Sequence, residues 1–206
     1  MTDRDSISLA ITGASGAAYG LRLLECLIQA KQRVQLMVSA PAHVVFAMEM
    51  DLQIPSRPAE MQTYFSKAYG AVPGQLQVYG RDEWTAPIAS GSNASRAMVI
   101  CPCSSGTLAA IAHGLSRSLI ERAADVVLKE RRQLILVPRE TPLSAIHLEN
   151  MLALTRMGAL ILPAAPGFYH KPHSVAQLVD FIVARVLQHL DIGQELVPRW
   201  GEVVDE

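Results

Sequence analysis

The chain has 206 residues and a formal net charge of −1, and half of its residues are hydrophobic. That length suits one α/β domain, and the near-zero charge gives no electrostatic case for a nucleic-acid partner. No apolar run is long and uncharged enough to span a bilayer, since the best, Ser174 to Leu190, carries Asp180 and Arg185. Asp3, Arg4, Asp5 and Arg22 argue against a signal peptide. The three cysteines, Cys26 and the pair in Cys101-Pro102-Cys103, form no C-x-x-C pattern, which points to reduced thiols and a cytoplasmic location. The apolar surplus predicts subunit interfaces, hence a homo-oligomer.

A β-branched apolar run predicts a strand over 7–12, broken at Gly13 and followed by a helical pattern over 17–31. This strand, Gly-rich turn and helix make the first half of a βαβ unit. Gly13 allows close backbone approach to a ligand, and Ser15 offers a hydroxyl and an amide at a positive helix end, a ready phosphate site. Gly16 and Gly20, four apart, are expected to let the helix pack close to the sheet. The spacing is not G-x-G-x-x-G, and the second strand, 33–39, ends on Ser39 and not on an acidic residue. Both departures disfavour NAD and favour a mononucleotide or flavin phosphate.

Pro41 opens a helix over 41–50, at whose end Glu49 is a candidate acid or base, a solvated carboxylate being the default. Residues 51–74 hold Pro55, Pro58, Pro73 and Gly74 around a short helical piece, Glu60 to Ala68. A weak strand at Leu76 to Tyr79 precedes Trp84 and a loop at 89–93. Strand Ala97 to Cys101 then leads through a turn to helices 106–113 and 118–131. Ser104, Ser105, Gly106 and Thr107 supply hydroxyls and amides at that turn, suited equally to a serine helix cap and to phosphate or ribityl oxygens. Arg122 and Lys129 are seven apart, on one face of the second helix; a solvated face is the plainer reading.

Strand Gln133 to Val137 ends at Pro138, so Arg139 and Glu140 stand at the sheet's carboxyl edge, where an arginine fork suits phosphate or a flavin carbonyl. Helix 144–157, strand Ala159 to Leu162 and loop 163–172 follow. Tyr169 in that loop is equally an ordinary loop aromatic or one that closes over a ligand, while His170-Lys171-Pro172-His173 has a proline inside it and fits zinc poorly. Arg185, in helix 174–191 beside Phe181, Ile182 and Val186, stands close to an apolar stripe and needs a partner or an anion. The tail from about 193 carries Trp200, which, like Trp84, is packing or a π face for a cation-like group. The alternation predicts a single domain, a parallel sheet with helices on both faces, and a ligand beyond the strands' carboxyl ends.

Four segments, T-G-A-S-G-A-A-Y-G (12–20), C-P-C-S-S-G-T-L-A-A-I-A-H-G (101–114), L-V-P-R-E-T-P-L-S (136–144) and P-A-A-P-G-F-Y-H (163–170), carry a resemblance. Together the chain resembles the UbiX family of flavin prenyltransferases along nearly its whole length. The resemblance implies a flavodoxin-like Rossmann fold, a homododecamer, and transfer of the dimethylallyl group of dimethylallyl monophosphate to N5 and C6 of reduced FMN. The product, prenylated FMN, serves UbiD-type decarboxylases in quinone synthesis or aromatic acid metabolism. By position, Gly13, Ala14, Ser15, Ser39, Ser104, Ser105, Gly106, Thr107 and Arg139 are expected to bind FMN. Tyr169 and Arg185 are expected to hold the dimethylallyl phosphate, with Arg122, Lys129, Arg139 and Glu140 around its phosphate and Trp200 nearby. Many bacterial relatives have lysine where this chain has Arg185.

Breaking an allylic C–O bond calls for cations on the leaving phosphate, a role for Arg122, Lys129, Arg139 and Arg185, with the Trp84 face steadying the allyl cation. The phosphate, Glu49, Ser15 and Glu140 are candidates for the proton removed at ring closure. No metal is expected, because no Asp-rich magnesium site is seen. A flavin-dependent cysteine decarboxylase is the nearest rival, but those enzymes carry P-x-M-N-x-x-M-W where this chain has Pro138-Arg139-Glu140-Thr141. A passive FMN carrier and a direct decarboxylase of prenylated hydroxybenzoates are the remaining alternatives.

Overall fold

The structure, a computed structural model, describes residues 5–198. Six strands, β1 (Ile7–Ile11), β2 (Val34–Val38), β3 (Leu76–Tyr79), β4 (Ala97–Cys103), β5 (Gln133–Pro138) and β6 (Leu160–Ile161), form one sheet in the order 3-2-1-4-5-6. Every pairing is parallel. Without the edge strand β3 the order reduces to the flavodoxin one, 2-1-3-4-5. The strand order reverses between β1 and β4, so a crevice opens beyond the carboxyl ends of these two strands.

Seven helices cover the sheet: α1 (Ala17–Gln29), α2 (Ala40–Met50), α3 (Pro58–Tyr69), α4 (Ser105–Ala112), α5 (Leu119–Lys129), α6 (Ala145–Arg156) and α7 (Val175–His189). A serine side chain caps five of them: Ser39, Ser104, Ser118, Ser144 and Ser174 each accept from an amide of the first turn. Alternate residues of the strands feed two cores. Ile7, Leu9 and Ile11 pack with α1 and α7 on one face, and Ala10, Met98 and Ile100 with α4 and α5 on the other. Because both faces are covered, all five residues of β1 are buried.

Gly20 lies where α1 meets the sheet. A Cβ on it would stand 2.4 Å from the Cys101 carbonyl oxygen and 3.0 Å from the Ile11 side chain, so the predicted close packing is real there. Gly16 does something else. It is the residue before α1, in the left-handed region at φ 103°, and sets the turn. The excursion over 51–74 resolves into α3, whose Gln62 Oε1 accepts the Val78 amide of the edge strand β3 at 3.0 Å. Two short 3-10 turns, 87–89 and 91–93, occupy the stretch expected as a loop. β6 is two residues long where four were expected, yet the chain keeps following β5 beyond it: the Leu162 amide donates to the Leu136 carbonyl at 2.8 Å and the Ala164 amide to the Pro138 carbonyl at 3.0 Å.

α6 is the least covered helix. It buries only Asn150 and Leu154 while Ile146, Leu148 and Leu152 are exposed. No helix of the described residues is long and apolar enough to cross a membrane.

Candidate functional site

The end of β1 shows why its turn is glycine. A Cβ on Gly13 would come 2.4 Å from the Pro41 side chain at the start of α2, so only glycine lets the two segments approach. Beyond it, the first turn of α1 already holds an anion. The Gly16 amide donates to Glu49 Oε2 at 2.9 Å, the Ala17 amide to the same oxygen at 3.0 Å, and the Ser15 hydroxyl also bonds this carboxylate. The phosphate expected at Ser15 is therefore displaced by the chain's own Glu49, which is no idle surface group. Partial burial pushes the Glu49 carboxyl up, but the Ser15 hydroxyl, the two amides and the Arg139 charge outweigh it and hold it below its ordinary value of 4.5.

A depressed native carboxylate contributes stability that is fully present above the unfolded value and is lost as pH falls through the native one. Wild type is thus expected to exceed Glu49→Gln in Tm most at neutral pH, with the gap closing below pH 4.5. Thermal melts across that range check this, and a gap that does not change with pH would refute it.

A cavity of about 360 Å³ opens at the strand-order switch, lined by Gly13, Ser39, Pro41, Ser104, Thr107 and Ser118 among others. The N-termini of α2, α4 and α5 all reach it. The first-turn amides of a helix have no acceptor within it, and the helix dipole makes that end positive, so three such ends favour a polyanionic or phosphate-bearing ligand. The cavity also takes in Tyr79, Gly80 and Arg81. These were missed in the sequence, although their position just past the end of β3 marks them as carboxyl-edge residues.

Arg139 and Glu140 leave β5 beside this crevice. Arg139 Nε donates to the Ser15 carbonyl oxygen at 3.2 Å, and the Ser105 hydroxyl donates to Glu140 Oε2 at 3.1 Å. The loops after β1, β4 and β5 are thereby tied together, bringing Gly13, Ser15, Ser104, Ser105, Thr107, Arg139 and Glu140 to one edge with Ser39 and Glu49. Ala14 sits in the loop after β1 and Gly106 in the first turn of α4, where a Cβ would meet nothing within 4 Å.

The remaining predicted residues stand apart. On α5, Arg122 donates to the Ala89 carbonyl at 3.0 Å and pairs with Asp125 at 2.8 Å, while Lys129 pairs with Glu130 against Gly91. Arg122 thus holds the segment 87–93, and Lys129 stands beside Gly91. Trp84, before that segment, is half exposed.

Tyr169 and Arg185 line a different cavity, of about 590 Å³, with Gln188, Asp191 and Gln194. Arg185, expected close to the apolar stripe and in need of a partner, is exposed beside it and donates to Gln188 Oε1 at 2.6 Å. The stripe of α7 runs through Val179, Ile182, Val183, Val186 and Leu187, leaving position 185 just outside it. His170 stacks on Phe181 with centroids 5.3 Å apart, and Tyr169 meets both rings edge-on. Trp200 lies outside the described residues. Within one chain, then, Arg122, Lys129, Arg139 and Arg185 do not converge on one point, contrary to the expected phosphate clamp.

Comparison with known proteins bears on this geometry. The sequence profile of the family described as Flavoprotein matches residues 1–205. The chain is 58% identical over 202 residues to a flavin prenyltransferase UbiX of Pseudomonas aeruginosa, covering 98% of this chain and 97% of that one. Among solved structures it is similar to AnUbiX (PadA1) in complex with FMN and dimethylallyl pyrophosphate. There the TM-score is 0.85 and the identity 39%, with 98% of this chain and all of that chain covered. It is also similar to a dodecameric FMN-dependent UbiX-like decarboxylase from Escherichia coli O157:H7, with a TM-score of 0.84 and 37% identity over 96% of this chain and all of that one.

Proposed function

The chain belongs to the flavoprotein family, among the UbiX flavin prenyltransferases, and from that premise we propose that it joins the dimethylallyl group of dimethylallyl monophosphate to reduced FMN and releases phosphate. The observation that carries this reading is the convergence of the Ser39- and Ser104-capped helix ends on one cavity at the switch of strand order. Those residues fit FMN: the positive end of α4, with the Ser104 and Thr107 hydroxyls, suits its phosphate, and the Ser39 hydroxyl its ribityl chain. Reduced FMN supplies N5 and C6 as the two nucleophilic positions, and prenylated FMN is the product, for use by a UbiD-type decarboxylase.

Gly13, Ala14, Ser15, Ser39, Ser104, Ser105, Gly106, Thr107 and Arg139 are the proposed FMN contacts. Arg139, anchored through Nε to the Ser15 carbonyl, keeps the rest of its fork for the ligand edge. Glu49, held as a carboxylate beside the Ser15 hydroxyl, is the proton acceptor of this reading. Glu140 is fixed by Ser105 and serves the leaving phosphate's side of the site.

Arg122, Lys129, Tyr169 and Arg185 complete the dimethylallyl phosphate site from neighbouring copies in a homo-oligomer, a dodecamer by the analogy. Two observations support a shared site: these groups are dispersed over one chain, and α6 leaves Ile146, Leu148 and Leu152 uncovered. Trp84, half exposed, is the π face offered to the allyl group, and Trp200 the tail's contribution. Arginine and lysine neutralise the departing phosphate.

The test is anaerobic incubation of the protein with reduced FMN and dimethylallyl monophosphate. The expected result is a flavin heavier by one five-carbon unit, with one phosphate released per flavin. Bound FMN of unchanged mass would sink the reading.

A further inference from the structure

The resemblance and the cavity lining leave out one buried hydroxyl at the strand-order switch, that of Thr12. β1 and β4 pair in regular parallel register as far as Ala10 and Ile100. Beyond them β4 is irregular between Ile100 and Cys103, and the regular pairing stops. Thr12 takes over the pairing with both of its polar groups. Its amide donates to the Pro102 carbonyl at 3.2 Å, and its hydroxyl donates to the same carbonyl at 2.8 Å. The hydroxyl oxygen in turn accepts the Ser104 amide at 2.8 Å.

Ser104 is the residue that caps α4. Its side chain accepts the Thr107 amide at 3.3 Å and donates to the Thr107 hydroxyl at 3.0 Å. In a capping box the amide of the capping residue is satisfied by a Glu or Gln of the same helix, three residues on. Here that acceptor is a threonine 92 residues away on another strand. One hydroxyl therefore sets where the α4 N-terminus stands relative to Gly13, the two elements that face each other across the 360 Å³ cavity.

We propose that Thr12 is a positioning residue for the anionic end of FMN: through its hydroxyl it holds the Ser104-capped end of α4 at the distance at which that end's amides meet a phosphate. This inference rests on the FMN reading and deepens it. Thr12 need not touch the ligand. Its effect falls on the phosphate and spares the isoalloxazine ring, because the group that it places is a helix terminus. Valine in its place keeps the shape but leaves the Ser104 amide without its acceptor.

The experiment compares FMN and riboflavin, which differ by the phosphate alone, by fluorescence titration of wild type, Thr12→Val and Thr12→Ser, with Tm recorded for each. The expected result is that Thr12→Val weakens FMN at least tenfold and riboflavin less than twofold, and that Thr12→Ser restores FMN binding. Thr12→Ala takes the place of the valine variant if the latter does not fold. Equal loss of both flavins, or no loss of either, would overturn the proposal and leave the FMN reading standing. A wild-type protein that binds neither flavin would overturn both.

Discussion

Replacing Arg139 with alanine is expected to slow phosphate release from dimethylallyl monophosphate about 100- to 1000-fold, the loss usual for a donor aimed at developing charge. Three features make this residue costly to lose. It leaves β5 at the carboxyl edge, so its guanidinium reaches the crevice from a rigid strand end. Its Nε bond to the Ser15 carbonyl fixes the fork, and lysine cannot keep that bond and face the ligand at once.

Its charge also acts on its neighbours. Burial raises the Tyr19 hydroxyl, and Arg139 opposes that rise; the same charge helps keep Glu49 ionised. Loss of Arg139 thus removes a cation and lets the Glu49 carboxyl rise towards its ordinary value. Single-turnover phosphate release at saturating reduced FMN measures the effect, with Arg139→Lys expected between the two extremes. Turnover within a few-fold of wild type in Arg139→Ala would remove this residue from the mechanism.

The second large effect concerns stability. Gly20→Ala places a methyl 2.4 Å from the Cys101 carbonyl oxygen and 3.0 Å from Ile11, and the first of these is backbone that cannot swing aside. Overpacking of this kind costs about 2 kcal/mol, which for a chain of this size lowers Tm by about 4–8 °C. Gly106→Ala is the control. Its methyl meets nothing within 4 Å, and alanine is favoured over glycine in a helix, so its Tm is expected to hold or rise slightly while FMN binding suffers. Differential scanning calorimetry of the two variants decides the matter. Equal Tm values would show that α1 lifts off the sheet without cost.

What could be read from the sequence was whatever is local. Hydrophobic runs bounded by glycine and proline marked the strands, and serines before apolar periodicity marked the helix starts, because propensity and capping act within a few residues. Gly20 was legible for the same reason, being four residues from a recognisable turn. What could not be read was pairing at a distance. The grip of Thr12 on Ser104 joins residues 92 apart, and Glu49 reaches an amide 33 residues away.

Nothing in the local pattern reports such bonds, so the first turn of α1 looked vacant for phosphate when its donors were already taken. Arg185 was legible as standing beside the stripe, because Ile182 and Val186 mark the stripe's spacing; that its partner is Gln188 was not. The dispersed cations are the third case. Residues can be assigned from sequence to one site, yet a single chain cannot gather them when the site belongs to an assembly.

The bond from Gln62 to the Val78 amide has a consequence for how copies of this chain meet. An edge strand with an open row of donors and acceptors is a template on which another chain can add a strand, and head-to-tail addition of that kind runs on without limit. Here α3 lies along that edge with its Gln62 side chain plugged into it. Any contact between copies is thus turned from this strand edge towards helix surfaces such as the uncovered face of α6. A single glutamine, by occupying one backbone N–H, favours a finite particle over a fibre.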